Sequence, residues 1–147
     1  MHDLVVDYCN YLDSGEVNEM AWFDHSTSDR LCFFATLLRH PMYADFPHES
    51  RKLVERIVFL HVSKIREFYD SKFWFNSNHG VFHALAILNI AQIEPFSLSD
   101  YGLARFGTLY LEISLEGILS FEDFFTLEQS VYYHQLAINL LETIPSE

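Results

Sequence analysis

Basic residues are scarce in this chain. Nine Lys and Arg stand against 21 Asp and Glu, for a formal charge of −12. Nonspecific binding to nucleic acid needs a basic face, and this balance argues against it. Proline (four) and glycine (five) are also few, which points to long helices rather than to many tight turns. The two cysteines, Cys9 and Cys32, lack C-x-x-C spacing. They read as two buried thiols, with a single disulfide left open. No apolar run reaches the roughly 18 residues of a membrane span. The start, Met1-His2-Asp3-Leu4, lacks the basic and apolar regions of a signal peptide, so the expectation is a soluble chain without an export signal. A Ser-His-Asp arrangement, a phosphate loop, a nucleotide fingerprint and an H-E-x-x-H motif are all missing.

What is present is apolar and aromatic. Half of the 147 residues are hydrophobic, with 14 Phe and 8 Tyr. That is enough for one domain with one core, and it excludes disorder. Helical periodicity dominates, and no strand-rich region or low-complexity segment interrupts it. The fold class expected is all-α, one domain over residues 1–147.

Six helices are predicted. The first runs from Asp3 to Leu12 and ends at Asp13-Ser14-Gly15. The second runs from about Ser26 to His40, with Ser26 and Asp29 as a weak capping box and Pro41 as its stop. A loop with Pro41 and Pro47 leads to a third, about Ser50 to Asp70. Its face is Leu53, Val54, Ile57, Val58, His61, Ile65, Phe68 and Tyr69. The fourth, about Gly80 to Gln92, is apolar nearly all round and should be buried on most sides. The fifth spans about Asp100 to Leu119, with Leu103, Phe106, Leu109, Tyr110 and Ile113 inward. Residues 120–129 read as an extended loop on a cleft, and the sixth helix as about Ser130 to Thr143.

Polar chemistry gathers at alternate helix starts. Asp24-His25 precedes the second helix, Asn78-His79-Gly80 the fourth, and Tyr133-His134 opens the sixth. In antiparallel helical hairpins alternate starts lie at one end of the stack, so these clusters should share a rim. Helices two, four and six would then form an inner layer, and three and five an outer one. At the start of the fourth helix, unpaired backbone N–H groups and the dipole favour an anion. Asn78 and His79 add donors there, and Gly80 would let a ligand approach the backbone. Alone, this is a small anion site suited to a carboxylate. The plainer reading is a polar loop that caps the helix through Ser77 or Asn78.

These stretches resemble a known family. Trp22-Phe23-Asp24-His25-Ser26-Thr27-Ser28-Asp29-Arg30, then Asn78-His79-Gly80, then Asp123 through Glu128-Gln129-Ser130-Val131-Tyr132-Tyr133-His134 are similar, in order, to motifs of the heparinase II/III-like polysaccharide lyases, a group that includes alginate lyases. Phe124 and Val131 stand where the family pattern has Gly and Pro. The resemblance implies antiparallel helical hairpins forming part of an incomplete α/α toroid, with the family's β-sandwich domain absent. It implies β-elimination at a uronic acid of an acidic polysaccharide or oligosaccharide, weak for this part alone, in a periplasmic or secreted setting. By resemblance Asn78 and His79 neutralise the substrate carboxylate and Tyr133 protonates the leaving oxygen. His25, Arg30, Gly80, Glu128, His134 and Trp74 would line or support the cleft. No cofactor or metal is implied in this part, and a cut helical stack would favour self-association through exposed helix faces.

Other residues have plainer readings. His79 and His83 stand i, i+4, as a zinc pair would, without a third ligand in the pattern. His61, on an apolar helix face, reads as a satisfied core histidine. Trp22 and Trp74 suit either sugar stacking or core packing. Tyr132 and Tyr133 point about 100° apart on a helix, so one can face the cleft while the other packs. A different class of function is also compatible with the charge: a noncatalytic acidic helical module that binds a protein partner.

Overall fold

A computed structural model describes residues 2–118, apart from Asp24, Phe73, Asn76 and residues 98–101. It is all-α, with no strand among the described residues. The helices are α1 (His2–Asp13), α2 (His25–Arg39), α3 (His48–Ser71), α4 (Asn78–Ala91) and α5 (Leu103–Ile118). Short 3-10 turns, Glu19–Trp22 and Pro41–Asp45, occupy two of the connections. The predicted sixth helix and the 120–129 loop lie outside the described residues.

Alternate helices share a direction. His25 at the start of α2 meets His79 at the start of α4, and Arg39 at the end of α2 donates to the Asn89 carbonyl near the end of α4 at 2.9 Å. Side chains near the end of α3 reach the first turns of α5. Arg66 sits 5.2 Å over the Phe106 ring, and Tyr69 meets Phe106 and Tyr110 edge-on. Helices α4 and α5 run antiparallel, with Gly80 at Ser114, His83 at Tyr110 and Leu88 at Gly107. Helix α1 packs on α3, tied by His2 to Ser50 and by Arg56 to Asp13 at 2.5 Å.

The core follows the periodicity. Helix α3 buries Val54, Ile57, Val58, His61, Val62 and Ile65 along one face. Helix α4 has buried residues nearly all round, because α2 and α5 cover two sides and α3 touches it. Its small residues, Gly80, Ala84, Ala86 and Ala91, let those neighbours close in. Helix α5 corrects one expectation. Leu109 is exposed, and the buried face is Leu103, Gly107, Tyr110, Leu111, Ser114 and Ile118. The inward stripe combines the small Gly107 and Ser114, which permit close approach, with the large Tyr110.

Boundaries shift in two informative places. Helix α4 begins at Asn78, so Asn78 and His79 form its first turn instead of preceding it. Helix α2 begins at His25, so Ser26 lies inside the helix and does not cap it. The hydroxyls of Thr27 and Ser28 instead donate to the carbonyls of Trp22 and His25, at 2.9 and 3.0 Å. Cys9 and Cys32 are both free thiols. Burial pushes the Cys9 thiol up to about 11, with Asp13 adding to the effect. No helix among the described residues is long and apolar enough to cross a membrane.

Gly80 is the tightest point of the α4–α5 contact. A Cβ there would lie 2.3 Å from Ser114 Oγ and 2.7 Å from the Trp74 carbonyl oxygen. Overpacking of this kind typically costs about 1–3 kcal/mol, more than the roughly 1 kcal/mol that alanine gains over glycine in a helix. Gly80→Ala should therefore lower stability in urea unfolding. Ser114→Gly in the same chain should recover only part of the loss, because the Trp74 carbonyl remains.

Candidate functional site

The starts of α2 and α4 meet. The His25 and His79 rings stack with centroids 4.3 Å apart and planes 26° from parallel. Trp74 stacks on the other side of His79 at 4.7 Å and 18°. Phe82 closes on His25 edge-on at 4.8 Å, and Phe23 on Trp74 at 5.7 Å. The result is a ladder of flat rings, Trp74–His79–His25, flanked by two phenylalanines. His25, Trp74 and His79 are partly exposed, so the ladder is in reach of solvent. Asn78, next to it on the first turn of α4, is almost buried at 9 % exposure.

The local backbone explains how the turn is presented. Ser77 occupies the N-cap position with extended backbone and makes no side-chain cap bond. Its hydroxyl donates to the Trp74 carbonyl at 3.1 Å, closing the 74–77 turn. The Gly80 N–H in this first turn bonds to the Ser77 carbonyl at 3.2 Å.

Behind the ladder lies a second cluster, around His61. This residue is fully buried on α3. Its Nδ1–H donates to the Ile57 carbonyl at 2.7 Å, and Nε2 accepts from Arg30 Nε at 3.1 Å. Those two bonds select the neutral tautomer protonated on Nδ1. The Arg30 guanidinium also donates to the Ala21 carbonyl and lies 5.2 Å over the Trp22 ring. Trp22 and Phe34 pack on the imidazole at 5.0 and 5.4 Å. Arg30 thus pins the 3-10 turn that precedes Phe23, and Phe23 rests on Trp74. Its place is that of a support for the wall, one layer away from the imidazole stack.

The i, i+4 histidines part company. His79 joins the ladder, whereas His83 is buried and shares a hydrogen bond of 3.0 Å with the Tyr110 hydroxyl. Phe68 stacks on the His83 ring at 5.0 Å. No group of three or more His, Cys, Asp or Glu suited to a metal ion occurs among the described residues.

Gly80 has a different place from the one expected of it. It is buried, and the volume a Cβ would occupy is filled by Ser114 and the Trp74 carbonyl. Its lack of a side chain serves the α4–α5 contact, not the approach of a ligand. Asp24, Glu128, Tyr133 and His134 lie outside the described residues. Sequence reasoning did not single out Phe82 or the Arg30–His61 bond. Phe82 falls on the same first turns as His79, a signal hidden by an all-apolar helix. The Arg30–His61 bond joins residues remote in sequence and leaves no local signal.

Compared with known proteins, the chain matches no family model, no curated protein and no solved structure.

Burial pushes the His61 imidazole down to about 4 from its ordinary 6.5, and the Arg30 charge adds to this against the opposing pull of the Ile57 carbonyl. The unfolded chain thus binds a proton between these two values that the folded chain refuses. The His61 contribution to stability is full above pH 6.5 and is lost as the pH drops toward 4, about 3 kcal/mol over that range. Unfolding curves across this window should show that slope. In His61→Gln, which keeps an acceptor for Arg30, the slope between pH 6.5 and 5 should largely disappear.

Proposed function

We propose that this chain is a polysaccharide lyase-like helical domain, part of an incomplete α/α toroid, that takes a uronic-acid-containing polymer at the start of α4. The observation that carries the reading is the contact of His25 with His79. His25 and His79 come from two stretches far apart in sequence, each similar to a lyase motif, and their rings are in contact. The shared direction of α2 with α4, and of α3 with α5, is the arrangement that stacked helical hairpins require.

The chemistry of the rim suits this substrate. Trp74 supplies a flat apolar face of the kind that sugar rings stack on. The imidazole of His79 and the Asn78 amide are donors suited to a carboxylate, set at the positive end of the α4 dipole. A charge of −12 repels a polyanion at long range, so attraction rests on these short-range donors. By the family resemblance, neutralising the carboxylate stabilises the enolate-like charge that develops as C5 loses its proton. Tyr133 then donates its proton to the departing glycosidic oxygen, a role its ordinary pKa of about 10 suits. His25 and Trp74 hold the His79 ring between them, Phe82 backs His25, and Arg30 holds the segment that carries Phe23.

Binding and cleavage are separable tests. In a Trp22→Phe variant, where Trp74 is the remaining tryptophan, uronate oligosaccharides should quench fluorescence, and His79→Ala should weaken that response. Incubation with alginate or a heparin-type polymer should generate the ultraviolet absorbance of an unsaturated uronate. Tyr133→Phe should slow its appearance by about 10²–10⁴-fold without loss of helical circular dichroism. If no uronate oligosaccharide quenches Trp74 and no polymer yields the product, the reading is wrong.

A further inference from the structure

We propose that the saccharide held at the ring ladder is sparsely charged: a single uronate flanked by neutral sugars, and not a run of uronates or a sulfated chain. This rests on the reading of the ladder as a uronate site, and narrows it.

A run of carboxylates or sulfates is held by cations set along it, since each anion taken out of water needs a partner. The chain has nine Lys and Arg, all among the described residues. Arg30 faces inward, to His61 and the Ala21 carbonyl. Arg39 closes the far end of α2 on the Asn89 carbonyl. Lys52, Arg56 and Lys64 pair with Glu49, Asp13 and Glu67. Arg51 stands in the first turn of α3, at the opposite end of that helix from the 74–77 turn. Arg66 lies over Phe106. Arg105, in the first turn of α5, lies toward the end of α4, because the two helices are antiparallel. One cation remains close to the ladder along the chain: Lys72, exposed just after α3 and two residues before Trp74.

Carboxylates stand at the same end of the fold. Ser114 packs on Gly80, so Glu112 and Glu116, exposed on that stretch of α5, lie at the level where α4 starts. Residues 119–147, which supply Tyr133 to the lyase reading, add acids and no Lys or Arg. The donors of the rim, Asn78 and His79 with one ammonium near them in the chain, match one carboxylate. A series of anions would meet only the repulsion of the −12 charge.

The surface beside Trp74 is apolar. Phe23 meets Trp74 edge-on and is 50 % exposed. Met20, whose carbonyl accepts from the Phe23 N–H at 3.3 Å, is 66 % exposed. The C–H faces of neutral sugar rings suit such a strip, whereas strongly hydrated sulfate or carboxylate groups do not.

Calorimetry on the full chain with three tetrasaccharides tests this: four linked uronates, one glucuronate on three xyloses, and four xyloses. At low salt the single-uronate ligand should bind at least about tenfold tighter than the tetrauronate. Tetrauronate affinity should rise as salt screens the repulsion, whereas at a site built for polyanions it falls. Phe23→Ser, at an exposed position, should weaken the single-uronate ligand by about fivefold or more while leaving thermal unfolding unchanged. A tetrauronate that binds as tightly as the single uronate, or whose affinity falls with salt, overturns the proposal and leaves the uronate reading standing. The same holds for a single-uronate affinity indifferent to Phe23→Ser. If neither uronate ligand binds, or if four xyloses bind as tightly as the single uronate, the uronate reading fails and the proposal with it.

Discussion

Where α4 passes α5, the space between them does not admit a single added methyl group at Gly80, and Gly107 meets Leu88 almost as closely. That approach sets the rest. With α5 so near on one side and α2 on another, α4 can be only small or apolar along most of its length, and it is. The helix is then fixed in rotation, because turning it would drive Leu88 or Ile87 into α5. Fixing the rotation fixes the direction of the first turn, where Asn78 and His79 stand.

The ring ladder is a consequence of that placement. Dispersion between flat rings is individually small and acts only at contact distance. It could not by itself bring His25 to His79 from separate helices. It holds them because the shared direction of α2 and α4, secured at the far end by Arg39 on the Asn89 carbonyl, has already put both helix starts at one level. The Arg30–His61 bond does the corresponding task for the preceding segment. It spends a fully buried histidine and an arginine on holding a turn. Burying those groups is tolerable because both imidazole nitrogens and the guanidinium have partners. The same burial makes the cluster sensitive to acid. An apolar groove lined by Leu4, Tyr8, Arg30 and Phe33 lies elsewhere and shares no ring of the ladder.

Much of the fold was legible because helical periodicity is local. The stripe of α3 from Val54 to Ile65 emerged as expected, and so did the near-total burial of α4. His61 was recognisable as a core histidine because it interrupts an apolar face without any second ligand nearby. The contact of His25 with His79 is what hairpin alternation leads one to expect; Asp24 and Tyr133-His134, expected on the same rim, lie outside the described residues. Less was legible where a choice depends on neighbours. Leu109 looked inward by hydropathy, yet Gly107 and Ser114 took the interface because small residues allow closer approach. Gly80 looked like an opening for a ligand and is instead a packing position. His79 and His83 looked alike in spacing and have different surroundings, one among the solvent-accessible rings and the other against Tyr110 and Phe68.

The amino-acid sequence by itself determined the helical class, the order of the helices and the residues able to carry polar chemistry. Those properties rest on periodicity, chain punctuation and side-chain type, each readable within a turn or two of helix. Only the tertiary structure decided which histidine would stack, which would be buried, and which cation would be spent internally. Those outcomes depend on distances between helices and on desolvation by residues remote in the chain. Neither quantity is written in any local stretch of sequence.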